Sequence, residues 1–190
     1  MLVYIISSRT LGNEISKGGV VEQGTEDRYW QGKAACNITE QSTAEEYRYL
    51  KSLVLKSAEN FHALYSSFPD KNKSVLPCRK TFYGSVPRTA EEMYQHTKNV
   101  NEYYFSEIGA AADNEGTILS CREKGFESLE SITGYLSLKP VIGSYGEKWS
   151  VRKVLRRFIW HDRIHAKAMY RMGKLTFGED AIPDIFGFDR

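Results

Sequence analysis

At 190 residues and 41% hydrophobic content, the chain is long enough to bury one core, so a single compact domain with an arm is expected in preference to two full domains. Twenty-six Lys and Arg stand against twenty-four Asp and Glu, a formal charge of +2, too near balance to point to nucleic acid or an anionic membrane as a partner. No apolar run approaches the roughly 18 residues that span a bilayer, and the N-terminal MLVYIISSR has no charged n-region, long apolar stretch or small-residue cleavage site, so a cytoplasmic protein is expected. Three cysteines, Cys36, Cys78 and Cys121, with no C-x-x-C pair among them, fit free thiols in a reducing compartment.

Residues 1–42 read as an irregular arm. Its LVYII is a β-branched run able to form one short strand, and the glycine-rich polar text after it breaks every period. Residues 43–190 carry helical periodicity and form the second unit. In STAEEYRYLKSLVLKSAENFHALYSSF, Thr43 precedes Glu46 at capping-box spacing, and Tyr47, Leu50, Val54, Phe61 and Leu64 share a face. About twenty residues, PDKNKSVLPCRKTFYGSVPR, then intervene, long for hairpin neighbours and indicative of a crossover or functional loop. RTAEEMYQHTKNVNEYYFSEIG repeats the capping signature at Thr89 and Glu92, with Gly109 placed to end a second helix. KGFESLESITGYLSL spaces Phe126, Leu129, Ile132 and Leu136 for a third. EKWSVRKVLRRFIWHDRIHAKAMYRMG offers Ser150 as N-cap, Trp149 and Val154 as a hydrophobic staple, and Gly173 as the stop of an unbroken fourth helix. The tail KLTFGEDAIPDIFGFDR keeps Ile182, Ile185, Phe186 and Phe188, apolar enough to lie back on the helices.

The fourth helix carries the chemistry. With about 100° per residue and Phe158 as origin, Val151, Val154, Leu155, His161, His165, Met169 and Met172 all fall within roughly 60°, so both imidazoles lie on the buried stripe. Lys153, Arg156, Arg163, Lys167 and Arg171 occupy the opposite, solvated side. Arg152 and Arg157 flank the stripe, where they can reach an anionic substrate or cofactor at its rim. Trp160 points roughly opposite the core, which suggests an outer face covered by a second copy in a homodimer, or by the arm or tail.

Two histidines at i and i+4 can converge on one divalent ion, as in the zinc proteases, yet HDRIH lacks the glutamate that serves those enzymes as base. On the second helix His96 shares an inward stripe with Met93 and Val100. His96, His161 and His165 can therefore cap one face of a metal and leave coordination positions open, which suits a catalytic or substrate-binding site better than a closed structural one. His62 falls at the edge of the apolar face of the first helix.

The stretch TAEEMYQHTKNVNEYYFSEIG, with WSVRKVLRRFIWHDRIHAKAMYRM after it, resembles the DinB-like superfamily, over about residues 43–173. The resemblance implies an all-α fold, a four-helix bundle preceded here by the irregular arm and succeeded by the packed tail. It also implies that His96 on the second helix and the H-x-x-x-H pair His161 and His165 on the fourth bind a divalent metal inside the bundle. Characterised branches of that superfamily transfer a low-molecular-weight thiol onto an electrophile or carry out thiol-assisted isomerisation, and many members have no assigned reaction.

The expected activity is that of a metal-dependent transferase or hydrolase acting on a small molecule, with zinc or nickel and a low-molecular-weight thiol as cofactors. The other reading is a non-catalytic, stress-related or interaction protein whose site stabilises the fold. Asp162, about 40° from the stripe axis, is a candidate to orient an imidazole or act as a base, against a plain surface ion pair with a nearby arginine. Tyr103 and Tyr104 can offer hydroxyls to a substrate, against ordinary core packing. No cysteine falls beside the histidines, so an attacking thiol comes from a cofactor.

Overall fold

The computed structural model describes residues 42–81 and 84–189; the strand expected in LVYII, the rest of the arm and Cys36 lie outside them. The described chain is mostly helical, 56% helix and 5% strand. Helices α1 (Ala44–Ser66), α2 (Ala90–Lys98), α3 (Asn101–Ser106), α4 (Ile118–Ser131) and α5 (Val151–Phe177) carry two small antiparallel hairpins between them. One hairpin joins β1 (Lys80–Thr81) to β2 (Gly84–Ser85), the other β3 (Val141–Ile142) to β4 (Lys148–Trp149). Among the described residues no helix is long and apolar enough to cross a membrane.

The caps explain where the helices start. Thr43 accepts from the Glu46 amide at 3.1 Å, while the Glu46 carboxylate turns away to Arg152, so only half of the expected capping box forms on α1. On α2 the box is complete: Thr89 accepts from the Glu92 amide, and Glu92 accepts from the Thr89 amide. Ser150 caps α5 through the Lys153 amide.

Three boundaries differ from the sequence expectation. The second helix is broken at Asn99–Val100, residue types of low helix propensity, and Asn101 anchors the break by donating to the Asp113 and Cys121 carbonyls at 2.8 and 3.0 Å. The third helix starts at Ile118 under a Thr117 cap, six residues ahead of the expected KGFES start, because its N3 position holds Ser120 and shows no acidic capping signature. It ends at Ser131, where Gly134 turns left-handed (φ 74°) into a short 3-10 turn, Tyr135–Ser137. The fourth helix is unbroken as expected, but it runs through Gly173 to Phe177 and is stopped by Gly178 (φ 111°). Gly173 is small for another reason: a Cβ there would lie 2.7 Å from both Ile182 and the Phe68 ring.

Side-chain contacts fix the directions. α1 and α5 run parallel, with Glu46 on Arg152 at one end and Phe68 at Gly173 at the other. α2–α3 and α4 run parallel to each other, with Tyr94 accepting from the Ile118 amide and Phe105 packed edge-on against Phe126. The two pairs run oppositely, since Tyr47 near the start of α1 bonds Glu130 near the end of α4. The connection that must return the length of its helix is therefore 107–117, whose Asn114 carbonyl accepts from Lys98. Of the two readings of the long 67–89 segment, a crossover or a functional loop, the crossover is not found: the segment is an excursion carrying the first hairpin, between α1 and an α2 that runs antiparallel to it.

Apolar packing divides into two clusters. One is centred on Tyr47, Tyr104, Phe105, Phe126, Trp149 and Phe158. The other is centred on Phe61, Leu64, Met93, Tyr94, Ile118 and Met169, and the tail lies on it through Ile182. Each large side chain so buried contributes about 1.5–3 kcal/mol. Between the clusters every helical segment contributes buried or half-buried polar groups: Ser57 from α1, His96, Thr97 and Asn101 from α2–α3, Arg122 from α4, and His161, Asp162 and His165 from α5. On the outside, Trp160 is 38% exposed.

At the centre of this polar layer Arg122 and Asp162 form a salt bridge at 3.0 Å with neither side chain exposed. Replacing one partner strands a charge in an apolar interior and costs about 3–5 kcal/mol, whereas replacing both with apolar residues of similar volume is often neutral. Arg122→Met and Asp162→Leu are each expected to lower the urea midpoint severely, and the double variant to recover most of the loss.

Candidate metal centre

The three histidines singled out in the sequence come together. His96 reaches the layer from α2, while His161 and His165, one turn apart on α5, face it from the opposite side. Ring centroids lie 4.4 Å apart for His161 and His165, 4.6 Å for His96 and His165, and 5.4 Å for His96 and His161. One nitrogen from each ring falls within 4.8 Å of the others, so the three can hold a metal ion. His161 and His165 are buried at 3% exposure and His96 is half-buried, which leaves His96 nearest the surface.

Electrostatics favour the neutral rings a metal requires. Burial drives the His96 pKa down to about 4. Burial, aided by His96, drives His165 to about 3. His161 is held well below the usual range by burial first, then by His165 and His96, and then by the charges of Arg122 and Arg157. Both ring nitrogens of His161 are buried with no hydrogen-bond partner among the described residues. Such groups are costly unless something binds them. The donor set fits a divalent ion: three uncharged nitrogens aimed into one space, one residue with two unspent nitrogens, and no cation inside the triad.

Asp162 is buried as well, and its partner is Arg122 of α4; the surface ion pair considered from the sequence is thus an interior one. Burial opposes the charge on both groups, while each supports the other and Ser57 adds to the support of Asp162. Arg122 also donates toward Asn101 Oδ1 at 3.3 Å and lies face-on over Phe158, 3.5 Å from its centroid. Tyr103 packs against Trp149 at 5.9 Å, and burial together with Glu107 raises its pKa. Tyr104 stands closer to the histidines, its ring edge-on to His161 at 6.0 Å.

Arg157 donates to Glu147 at 2.5 Å and lies over Trp149. Arg152 is taken by Glu46. His62 stands outside the triad, its Nδ1 3.0 Å from the Tyr94 hydroxyl. Cys121 turns its thiol to the Glu115 carbonyl and Cys78 is exposed; neither belongs to the triad.

Arg122, Asn101 and Ser57 were not singled out from the sequence. With α4 started at Ile118, Arg122 would have appeared on one stripe with Ile118, Phe126 and Leu129, an inward charge in need of a partner.

The depressed histidines predict a pH dependence. In the unfolded chain they take up protons near pH 6.5, whereas folded His96 and His165 resist until about pH 4 and about pH 3. Between those limits the unfolded state binds more protons, so stability falls as the pH drops, by about 1.4 kcal/mol per pH unit for each proton of difference. Urea titrations in chelator should show a steep loss from pH 6.5 downward, and His165→Gln should make that slope shallower.

No family model, curated protein or solved structure matches this chain, so its functional reading rests on the geometry of the site.

Proposed function

We propose that the chain is a DinB-like four-helix bundle and a metal-dependent enzyme. On this reading His96, His161 and His165 hold a divalent ion, zinc or nickel, and the reaction is a thiol-dependent transfer or a hydrolysis on a small molecule. The observation that carries it is the convergence of three neutral imidazoles from two helices, one of them with both nitrogens buried and unbonded. The pairwise parallel arrangement of α1 with α5 and of α2–α3 with α4 supports the bundle.

An ion bound by three imidazoles would supply Lewis acidity, lowering the pKa of a thiol or a water toward neutrality. The chain's own residues do the rest. Burial keeps the three rings unprotonated and available as donors. Arg122 and Asp162 hold α4 and α5 in the register that brings His161 and His165 opposite His96; Asp162 is thereby assigned to anchoring rather than to proton transfer. Tyr103, turned toward Trp149 and Glu107, is left outside the chemistry. Neither described cysteine, Cys78 or Cys121, belongs to the triad, and on this reading the thiol of a transfer reaction is a diffusible cofactor.

One observation favours the non-catalytic alternative. His161 and His165 are each only 3% exposed, and a cavity of about 430 Å³ on the molecule is lined by Lys167, Arg171, Leu175 and Phe188 among others rather than by the histidines. A site used only to brace the helices would look as closed.

Metal analysis of purified variants decides the central point. His96→Ala, His161→Ala and His165→Ala should each lose most of the bound metal, because two imidazoles hold a divalent ion weakly, and His62→Ala should keep it. Chelation should lower the wild-type melting temperature and hardly move that of the three ligand variants. A screen of low-molecular-weight thiols with electrophiles then separates the enzyme from the brace: turnover that vanishes with each ligand variant supports the enzyme, and no turnover with fully loaded protein supports the brace.

A further inference from the structure

The cavity of about 430 Å³ beside the second half of α5 falls within the range of about 300–1,000 Å³ common to small-molecule sites. Three stretches far apart in sequence wall it: α5 between Lys167 and Leu175, Leu76 of the long connection, and Glu179, Phe188 and Asp189 of the tail. Specific bonds hold each wall in place. The Arg88 guanidinium donates to the Leu76 carbonyl at 3.4 Å, and the Val75 amide donates to the Thr176 hydroxyl at 3.3 Å. The Asp184 carboxylate folds the tail on itself by accepting from the Phe188 and Asp189 amides at 2.8 and 2.9 Å. Asp189 fastens the tail to α5, accepting from the Tyr170 hydroxyl at 2.5 Å and from Lys174 at 2.9 Å.

The walls carry two kinds of chemistry. Leu76, Met172, Leu175 and Phe188 supply apolar surface. The charges among them are unevenly matched. Lys174 is taken by Glu179 at 2.7 Å and by Asp189. Lys167 and Arg171 stand one turn apart on α5, both exposed, and neither has a carboxylate partner among the described residues. Lys167 meets only the Phe188 ring, its ammonium 5.9 Å from the centroid. Two cations next to apolar surface match a ligand with an anionic head and an apolar body. Glu179 and Asp189 in the same wall repel further negative charge, so a single charge is favoured over a phosphate dianion or a polyanion.

We propose that this cavity is a second ligand site, separate from the histidines, that binds a small monocarboxylate with an aryl or short alkyl body. The carboxylate lies on Arg171 and Lys167, and the body against Phe188 and Leu175. Arg171 offers the planar pair of N–H donors that matches a carboxylate, and Lys167 adds a point charge beside it. No metal enters this recognition, so the site stands or falls independently of the histidine centre.

The test is a titration of the isotope-labelled full chain with phenylacetate, followed by amide chemical shifts. Wild type should show saturable shifts concentrated on residues 167–176 and 186–189, equally in chelator and after loading with zinc. Phenylacetamide, which keeps the body without the charge, and acetate, which keeps the charge without the body, should each bind at least about tenfold more weakly, and inorganic phosphate no better than acetate. Arg171→Gln should lower the affinity for phenylacetate about tenfold, as expected for loss of a hydrogen-bonded charge. Leu175→Asp should lower it similarly, whereas Arg156→Gln, an exposed charge of α5 outside the cavity, should leave it unchanged. Absence of saturation, shifts centred elsewhere or unchanged affinity in Arg171→Gln overturns the proposal. Phenylacetamide binding as tightly as phenylacetate would reduce the cavity to an apolar dimple, and phosphate doing so would reduce it to a basic patch; either result also overturns it. Binding that disappears in chelator would overturn the separation of the two sites.

Discussion

The buried pair of Arg122 and Asp162 is the constraint around which the rest of the interior is arranged. Apolar packing tolerates small slides, because one methyl group substitutes for another at modest cost. A guanidinium stacked 3.5 Å above Phe158, bonded to Asp162 and reaching Asn101, does not. Set against an apolar replacement such a pair adds little net stability, and what it adds is a heavy penalty for any arrangement in which the two charges part. It ties α4 to α5 and, through Asn101, to the break between α2 and α3. The relative height of three helical segments is thus set by one ionic contact.

That height is what creates the histidine cluster. His161 directly precedes Asp162, and His165 is one turn further along α5; His96 lies a little over one turn before Asn101. A shift of α5 by one residue would rotate its stripe by about 100° and carry both imidazoles away from His96. The same layer supplies the dielectric conditions of the site. Clusters of aromatic side chains above and below exclude water, and their exclusion of water holds the imidazoles neutral. Neutrality costs stability at low pH but leaves the nitrogens free to coordinate at neutral pH. Groups that are expensive to bury have been gathered at one level and made to face one another.

Much of this was legible in the residues. The periodicity of α5 put His161 and His165 on the inward stripe because a 27-residue helix samples every face several times, and its arginines and lysines mark the outside. The capping box of Thr89 and Glu92 placed α2, and hence His96. What escaped was the start of α4, since Thr117 caps it without an acidic partner three residues on, and with it escaped Arg122. The break at Asn99–Val100 was also hidden: both flanking segments keep helical periodicity, and only the long-range bonds of Asn101 to the 107–117 connection and to Cys121 reveal why the helix yields there. Gly173 reads as a stop in sequence, yet it is small because Phe68 and Ile182 press on it from outside the helix, a tertiary cause with no local signature. Likewise, no spacing rule separates Tyr103 from Tyr104: both rings meet Trp149, and only that of Tyr104 goes on to Phe158 and His161.

The claim on which the functional reading turns is that three imidazoles share one ion, and X-ray absorption at the metal edge of the zinc-loaded protein tests it most directly. Three imidazole nitrogens at about 2.0–2.1 Å, with the outer-shell scattering of three rings and a lighter oxygen ligand completing the shell, is the predicted spectrum. A shell with sulfur at about 2.3 Å, or one without ring scattering, would contradict it and return His96, His161 and His165 to the status of core residues.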